Sequence, residues 1–169
     1  AAELGKALEP LRIMYFEEPT SPENPSNFRH IKQKCALPLA TGERSYTRWG
    51  FRQFFEDRTL SVIQPDLCNT GGITETKKIC DMAHPYDITC QVHVAGTGIA
   101  GAASLHVETA IPNFCIHEHH QKALMPQYIE LCAYNYQPVN GRFHVPELPG
   151  IGQDLTDIAY KNSDIYVVE

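Results

Sequence analysis

Arg12-Ile13-Met14-Tyr15-Phe16-Glu17-Glu18-Pro19 is an apolar run that ends abruptly in two carboxylates and a proline. Ile13 to Phe16 have the continuous hydrophobic character of a strand buried on both faces, as in a parallel sheet. Glu17 and Glu18 fall at its C-terminal end, where Pro19 stops the strand and begins a loop. A carboxylate at that point is costly to bury alone and needs a cation or a hydrogen-bond donor. The same arrangement recurs in Pro38–Glu43 (PLATGE), Val62–Asp66 (VIQPD), Thr89–His93 (TCQVH) and Phe114–Glu118 (FCIHE). Five apolar segments each end in an ionisable residue.

Between these segments the chain reads as helix. Ser26 is the expected N-cap of a helix running to Lys34. Trp49, Phe51, Phe54 and Phe55 have helical spacing over 49–58 and are assigned to the core. Asn69-Thr70-Gly71-Gly72 is a turn, followed by helical patterns over 73–83 and, after the Gly-rich 95–101, over 99–110. Strands are expected at 12–17, 39–43, 61–66, 87–93 and 114–118. Strand and helix alternating at about 25 residues mean βαβ units and a parallel sheet.

A doubly wound sheet and an eight-stranded barrel both fit five such units. The barrel is favoured, because a ring focuses the strand ends on one point. A complete barrel takes about 250 residues, so the chain supplies the C-terminal part of one, over residues 1–124. The open arc leaves strand edges that something outside this sequence must cover. Residues 125–169, rich in Pro, Gly and Tyr with a turn at Asn140-Gly141, read as an extension that wraps back over the sheet. Ala1–Leu8 has helical spacing with neither an initial methionine nor an N-cap residue ahead of it. It reads as the tail of an earlier helix, and the chain as a fragment of a longer protein.

The totals narrow the function classes. Among 169 residues, 43% are hydrophobic, enough for an ordinary core, and the net charge of −6 disfavours a nucleic-acid partner. No window approaches the ~18 apolar residues that span a membrane, and no signal peptide opens the chain. The six cysteines are scattered without a CxxC, which suits free buried thiols in a reducing cytoplasm.

Two carboxylates converging from adjacent strands, Glu17 and Glu43, would raise each other's pKa unless a hard cation such as Mg²⁺ neutralised them. The competing reading pairs each with a local arginine, Arg44 or Arg48. Asp66 and His93 end the next two strands. A carboxylate beside an imidazole fixes its tautomer and raises its basicity, as a general base requires, although a purely structural pair has the same composition. Glu118 could donate to or stabilise an oxyanion if burial raises its pKa. Glu18 is read as supporting or solvated. His117, His119 and His120 suggest zinc, but neighbouring strand residues point to opposite faces and no cysteine has ligand spacing. Gly96-Thr97-Gly98 lacks the remainder of a phosphate-loop pattern and is read as a tight turn or a place of close backbone approach.

Taken together, FEEP, PLATGER, IQPDLCNTGGITE, QVH and IHEH resemble the C-terminal barrel half of the enolase superfamily. The likeness is to the mandelate racemase/muconate lactonizing enzyme branch, and within it to acid-sugar dehydratases of the galactonate dehydratase type. It runs in order from Leu11 to His119 and continues weakly to Pro149-Gly150-Ile151-Gly152. The resemblance implies that Glu17 and Glu43 are two of three carboxylate ligands of one Mg²⁺, the third lying outside this chain. It implies that His93, oriented by Asp66, removes the proton alpha to a carboxylate, and that Glu118 hydrogen-bonds the resulting enediolate. A dehydratase would then expel the neighbouring hydroxyl to give a 2-keto-3-deoxy acid from an aldonate or aldarate. The capping domain, the first barrel strands and the second acid/base are missing, so the fragment alone is expected to be inactive. Family members are multimeric, which implies a homo-oligomer. The alternatives are a racemase, epimerase or cycloisomerase of the same superfamily, a non-catalytic half-barrel serving as scaffold, and an unrelated barrel whose carboxylates form salt bridges.

Overall fold

A computed structural model describes residues 1–167. Its frame is a parallel sheet in the order β1-β2-β3-β4, made of β1 (Phe16–Glu17), β2 (Leu39–Thr41), β3 (Val62–Ile63) and β4 (Thr89–Cys90). All three pairings are parallel, with Phe16 opposite Leu39, Ala40 opposite Val62 and Val62 opposite Thr89. An isolated parallel bridge from Cys90 to Phe114 adds the start of a fifth segment. Strand order thus follows chain order without a reversal. This sequential arc is the barrel arrangement, since a doubly wound sheet would change direction.

The crossovers are α2 (Pro25–Lys32), α3 (Thr47–Glu56), α5 (Gly72–Ala83) and α6 (Gly98–Thr109). Before the first strand comes α1 (Ala2–Leu8), and a short α4 (Leu67–Thr70) leads into α5. The core lies between sheet and helices. Phe28, Leu39, Phe51, Phe54, Phe55, Ile63 and Ile79 are almost completely buried there. Phe28 and Phe54 meet edge to face at 5.2 Å, a geometry that adds to their area burial. Truncating Phe54 to alanine would cost about 3–5 kcal/mol.

Several local expectations are corrected. The first strand is two residues long: Arg12 takes a left-handed conformation (φ 50°) that closes a 3-10 turn over Glu9–Leu11. As the edge strand, β1 is only half covered, and Met14 is exposed. The other strands are also shorter than expected. Asn24, not Ser26, caps α2; its side chain accepts the Ser26 N–H, and Pro25 fits the first helical position. Trp49 is not core but 75% exposed, with Arg52 over its ring. Phe51, Phe54 and Phe55 define the buried face of α3, and Trp49 lies roughly 200° of helical rotation from Phe51.

After the fifth segment come a 3-10 turn (Gln121–Leu124), α7 (Pro126–Ile129), a stretch without regular structure and α8 (Asp157–Lys161). The Asn140-Gly141 turn is present, both residues having positive φ, between the paired Val139 and Arg142. This stretch returns toward α6. His106 Nε2 lies 3.2 Å from the Ile151 carbonyl, and Ile151 packs against the core. The six cysteines are free, and four of them are buried. Among the described residues no helix is long and apolar enough to cross a membrane.

Candidate active site

The ionisable strand ends gather along one rim of the arc. The Asp66 backbone pairs with that of His93 in a parallel bridge, so the sheet itself sets the two side chains side by side. His93 Nδ1 lies 2.7 Å from Asp66 Oδ2. The other Asp66 oxygen accepts the Cys68 N–H at 2.7 Å and caps α4. One aspartate therefore starts a helix and orients an imidazole. On its free side, His93 Nε2 is 3.4 Å from Glu43 Oε2, an electrostatic neighbour beyond a good hydrogen bond. Glu118 Oε2 accepts the Val94 N–H at 2.8 Å, one residue past His93.

Gly42 makes the position of Glu43 possible. At φ 153° it passes the β3 backbone so closely that a Cβ would sit 2.7 Å from the Gln64 carbonyl carbon. The Glu43 carbonyl is then held by Asn69 Nδ2 at 2.9 Å.

Charge at this rim is unbalanced. Partial burial pushes the Glu17 carboxyl up; Glu118 and Glu43 add to this, while the nearby Gln64 amide and His93 oppose it. His93 is raised, first by its bond to Asp66 and against desolvation, with Glu118 and Glu43 adding to the effect. For Asp66 burial is the largest influence and acts upward, yet the His93 and Cys68 hydrogen bonds together outweigh it and hold the carboxyl low.

The arginines that could have neutralised Glu17 and Glu43 are engaged elsewhere. Arg44 pairs with Glu18, which also accepts the Thr41 hydroxyl, and Arg48 pairs with Glu75. The salt-bridge alternative for Glu17 and Glu43 thus loses its two named partners, and Glu18 is the paired, supporting residue. Glu43 keeps His93 Nε2 at 3.4 Å as its cationic neighbour, and carboxylates are the donors a hard cation takes. Among the described residues no group of three or more His, Cys, Asp or Glu side chains that could hold a metal ion is present.

The three histidines have three different partners. His117 turns to Glu108 on α6, His119 to Gln137, and His120 accepts the Lys122 N–H. Thr97 caps α6 through the Ile99 N–H, while Gly98 lets the loop approach Cys132. This resolves the Gly-rich turn as a helix start packed against the later chain.

Two groups went unread in the sequence. Under the rim, Tyr15 OH and Gln64 Nε2 both donate to Gln91 Oε1. Tyr15, Gln64 and Gln91 each stand two residues ahead of a rim residue and so share its face; that period-2 offset was the available signal. The second is the buried Glu108–His117 pair, described further below.

A sequential βα arc with carboxylates and an imidazole at its strand ends is a segment of a (β/α) barrel. The chain belongs to the family described as "Enolase C-terminal domain-like", whose match covers residues 1–159. It is 35% identical over 159 residues to D-galactonate dehydratase of Ralstonia nicotianae, covering 91% of this chain and 42% of that protein. Similarity to D-xylonate dehydratase of Haloferax volcanii is 34% over 155 residues, covering 92% and 37%. A crystal structure of an enolase-superfamily member from Salmonella Typhimurium superposes with TM-score 0.94 at 55% identity, covering 96% of this chain and 42% of that one. The chain thus spans less than half the length of these relatives.

Proposed function

We propose that this chain is the C-terminal barrel portion of a Mg²⁺-dependent acid-sugar dehydratase, with the extension that begins at residue 125 packed back on that barrel or on a capping domain; residues 168 and 169 of that extension lie outside the described residues. The observation that carries the proposal is the 2.7 Å His93–Asp66 pair, set beside three carboxylates at one rim. Similarity to D-galactonate and D-xylonate dehydratases supports the substrate class, a small aldonate or aldarate. We further propose a homo-oligomeric cytoplasmic enzyme, completed by barrel strands and a cap outside these 169 residues and inactive without them.

Asp66 holds the Nδ1 proton, which leaves Nε2 as the basic nitrogen. Nε2 takes the proton alpha to the substrate carboxylate, and the electron pair left on carbon delocalises into the carboxylate as an enediolate. Glu118, in its carboxylic acid form, donates a hydrogen bond to that species from the oxygen that does not accept from Val94. Expulsion of the neighbouring hydroxyl, protonated by an acid outside this chain, gives the enol of a 2-keto-3-deoxy acid. Glu17 and Glu43 would be two ligands of Mg²⁺, which when bound supplies positive charge to the substrate carboxylate. Because the intermediate carries more negative charge than the substrate, donors at this rim favour it selectively.

The test is a screen of aldonic and aldaric acids with Mg²⁺, using the protein that carries this chain. The expected result is a 2-keto-3-deoxy product from at least one acid. Exchange of the alpha proton without dehydration would favour a racemase or epimerase instead. Absence of both exchange and Mg²⁺ affinity would leave a scaffold.

A further inference from the structure

The sheet's hydrogen bonding ends just before Glu118. Cys90 donates to the Asn113 carbonyl at 2.7 Å and Cys115 to the Cys90 carbonyl at 2.9 Å. Among the described residues, no backbone-to-backbone hydrogen bond involves Ile116, His117 or Glu118. A residue that must meet a reacting group to within about half an ångström thus stands on a segment without a ladder.

Side chains do the holding. His117 Nδ1 lies 2.7 Å from Glu108 Oε2, and the edge of Phe143 packs on His117 at 4.6 Å and on His119 at 5.2 Å. Glu108 sits on the inner face of α6, 5% exposed, among Ala103, Leu105 and Val107. Its other oxygen, Oε1, has no hydrogen-bond partner. The Val92 backbone N–H lies close enough to the carboxylate to favour its charged form. Well-packed apolar residues in place of such a buried pair are often as stable or more so, so the pair is weak evidence for a stabilising role. What the pair does supply is one fixed distance between α6 and the backbone adjoining Glu118.

We propose that Glu108 and His117 are positioning residues for Glu118, a side-chain brace that replaces the missing ladder bonds and keeps the Glu118 carboxylate on the Val94 N–H. The inference rests on the role given to Glu118 above. It reaches beyond that role to two residues outside the proposed catalytic and metal-binding set.

The experiment uses the protein that carries this chain, with Glu108→Ala, His117→Leu and His117→Asn. The asparagine amide keeps a donor near the place of Nδ1. Amide hydrogen exchange at Val94 reads the brace directly. Turnover and KM, with and without Glu118→Gln, read its consequence through a double-mutant cycle. Glu108→Ala and His117→Leu should each speed Val94 exchange and lower kcat about tenfold with KM unchanged, and His117→Asn should restore most of both. In the Glu118→Gln background Glu108→Ala should cost nothing more. Unchanged Val94 exchange in folded Glu108→Ala overturns the proposal, as does an undiminished kcat loss in the Glu118→Gln background. Faster Val94 exchange with unaltered kcat upholds the brace and refutes instead the part assigned to Glu118. If Glu108→Ala does not fold, His117→Leu against His117→Asn provides the same comparison.

Discussion

Two imidazole–carboxylate pairs lie on neighbouring segments, and distance does not tell them apart. His93 approaches Asp66, and His117 approaches Glu108, each through Nδ1 at 2.7 Å. Their surroundings differ in every other respect. Asp66 receives a second hydrogen bond from the Cys68 N–H, whereas Glu108 keeps an orphaned oxygen in an apolar contact. Asp66 is consequently held low, while burial, acting before its His117 bond, pushes Glu108 up. Beyond the imidazoles lie Glu43 and Glu118 in one case and the Phe143 ring in the other. A short imidazole–carboxylate contact is therefore no sign of chemistry by itself. What lies on the far side of the ring decides whether the second nitrogen has a proton to take.

The largest expected effect separates the two rings. His93→Asn should cut alpha-proton exchange into solvent deuterium by about 10²–10⁴-fold, while His117→Asn leaves it within a few-fold. Equal losses would erase the distinction.

Asp66→Asn comes next, because it divides that residue's two duties. The amide oxygen still caps α4, so the loss of the cap itself should cost no more than about 0.5 kcal/mol by denaturant unfolding, any further loss at neutral pH being that of the carboxylate's bond to His93. The imidazole, however, loses its tautomer control, and exchange should fall by ~10²-fold or more. A stability loss of several kcal/mol with exchange undiminished would mean that the helix cap, not the orientation, requires the charge.

The smallest effect lies in the pH dependence of stability. A lowered carboxyl stabilises the fold above the ordinary carboxylate range, and that contribution is lost as pH falls through its folded-state value. Asp66→Asn should therefore flatten the acid limb of a urea-unfolding series. Glu108 is raised, so its contribution is present below the ordinary range and is lost as pH rises through its folded-state value. Glu108→Gln should flatten the curve in that higher window. Opposite slopes are the signature; the same sign for both would contradict the contrast in their environments.

The strand ends were legible because each pairs an apolar run with a single ionisable residue, and the parallel arrangement then follows from chain order alone. Asp66 and His93 could be paired in advance, since adjacent parallel strands place equivalent ends together. The Glu108–His117 contact could not be read. Glu108 sits in a helical pattern where period 3.6 suits either face, and its partner lies beyond the ladder where alternation is no longer enforced. Trp49 was misplaced because aromatic character outweighed its angle from Phe51, Phe54 and Phe55. The strand Arg12–Glu17 was overextended because apolar continuity gives no warning of a left-handed residue such as Arg12.

Trp49 has an optical consequence. It is the chain's sole tryptophan, and it stands on the outward side of α3, facing water and the Arg52 guanidinium. Its ultraviolet emission is thus responsive to whatever settles on that helix. In the longer protein, with every other tryptophan replaced by phenylalanine, a blue-shifted spectrum would show this surface covered by a neighbouring part or copy, and the unshifted red-edge emission of a wetted indole would show it bare.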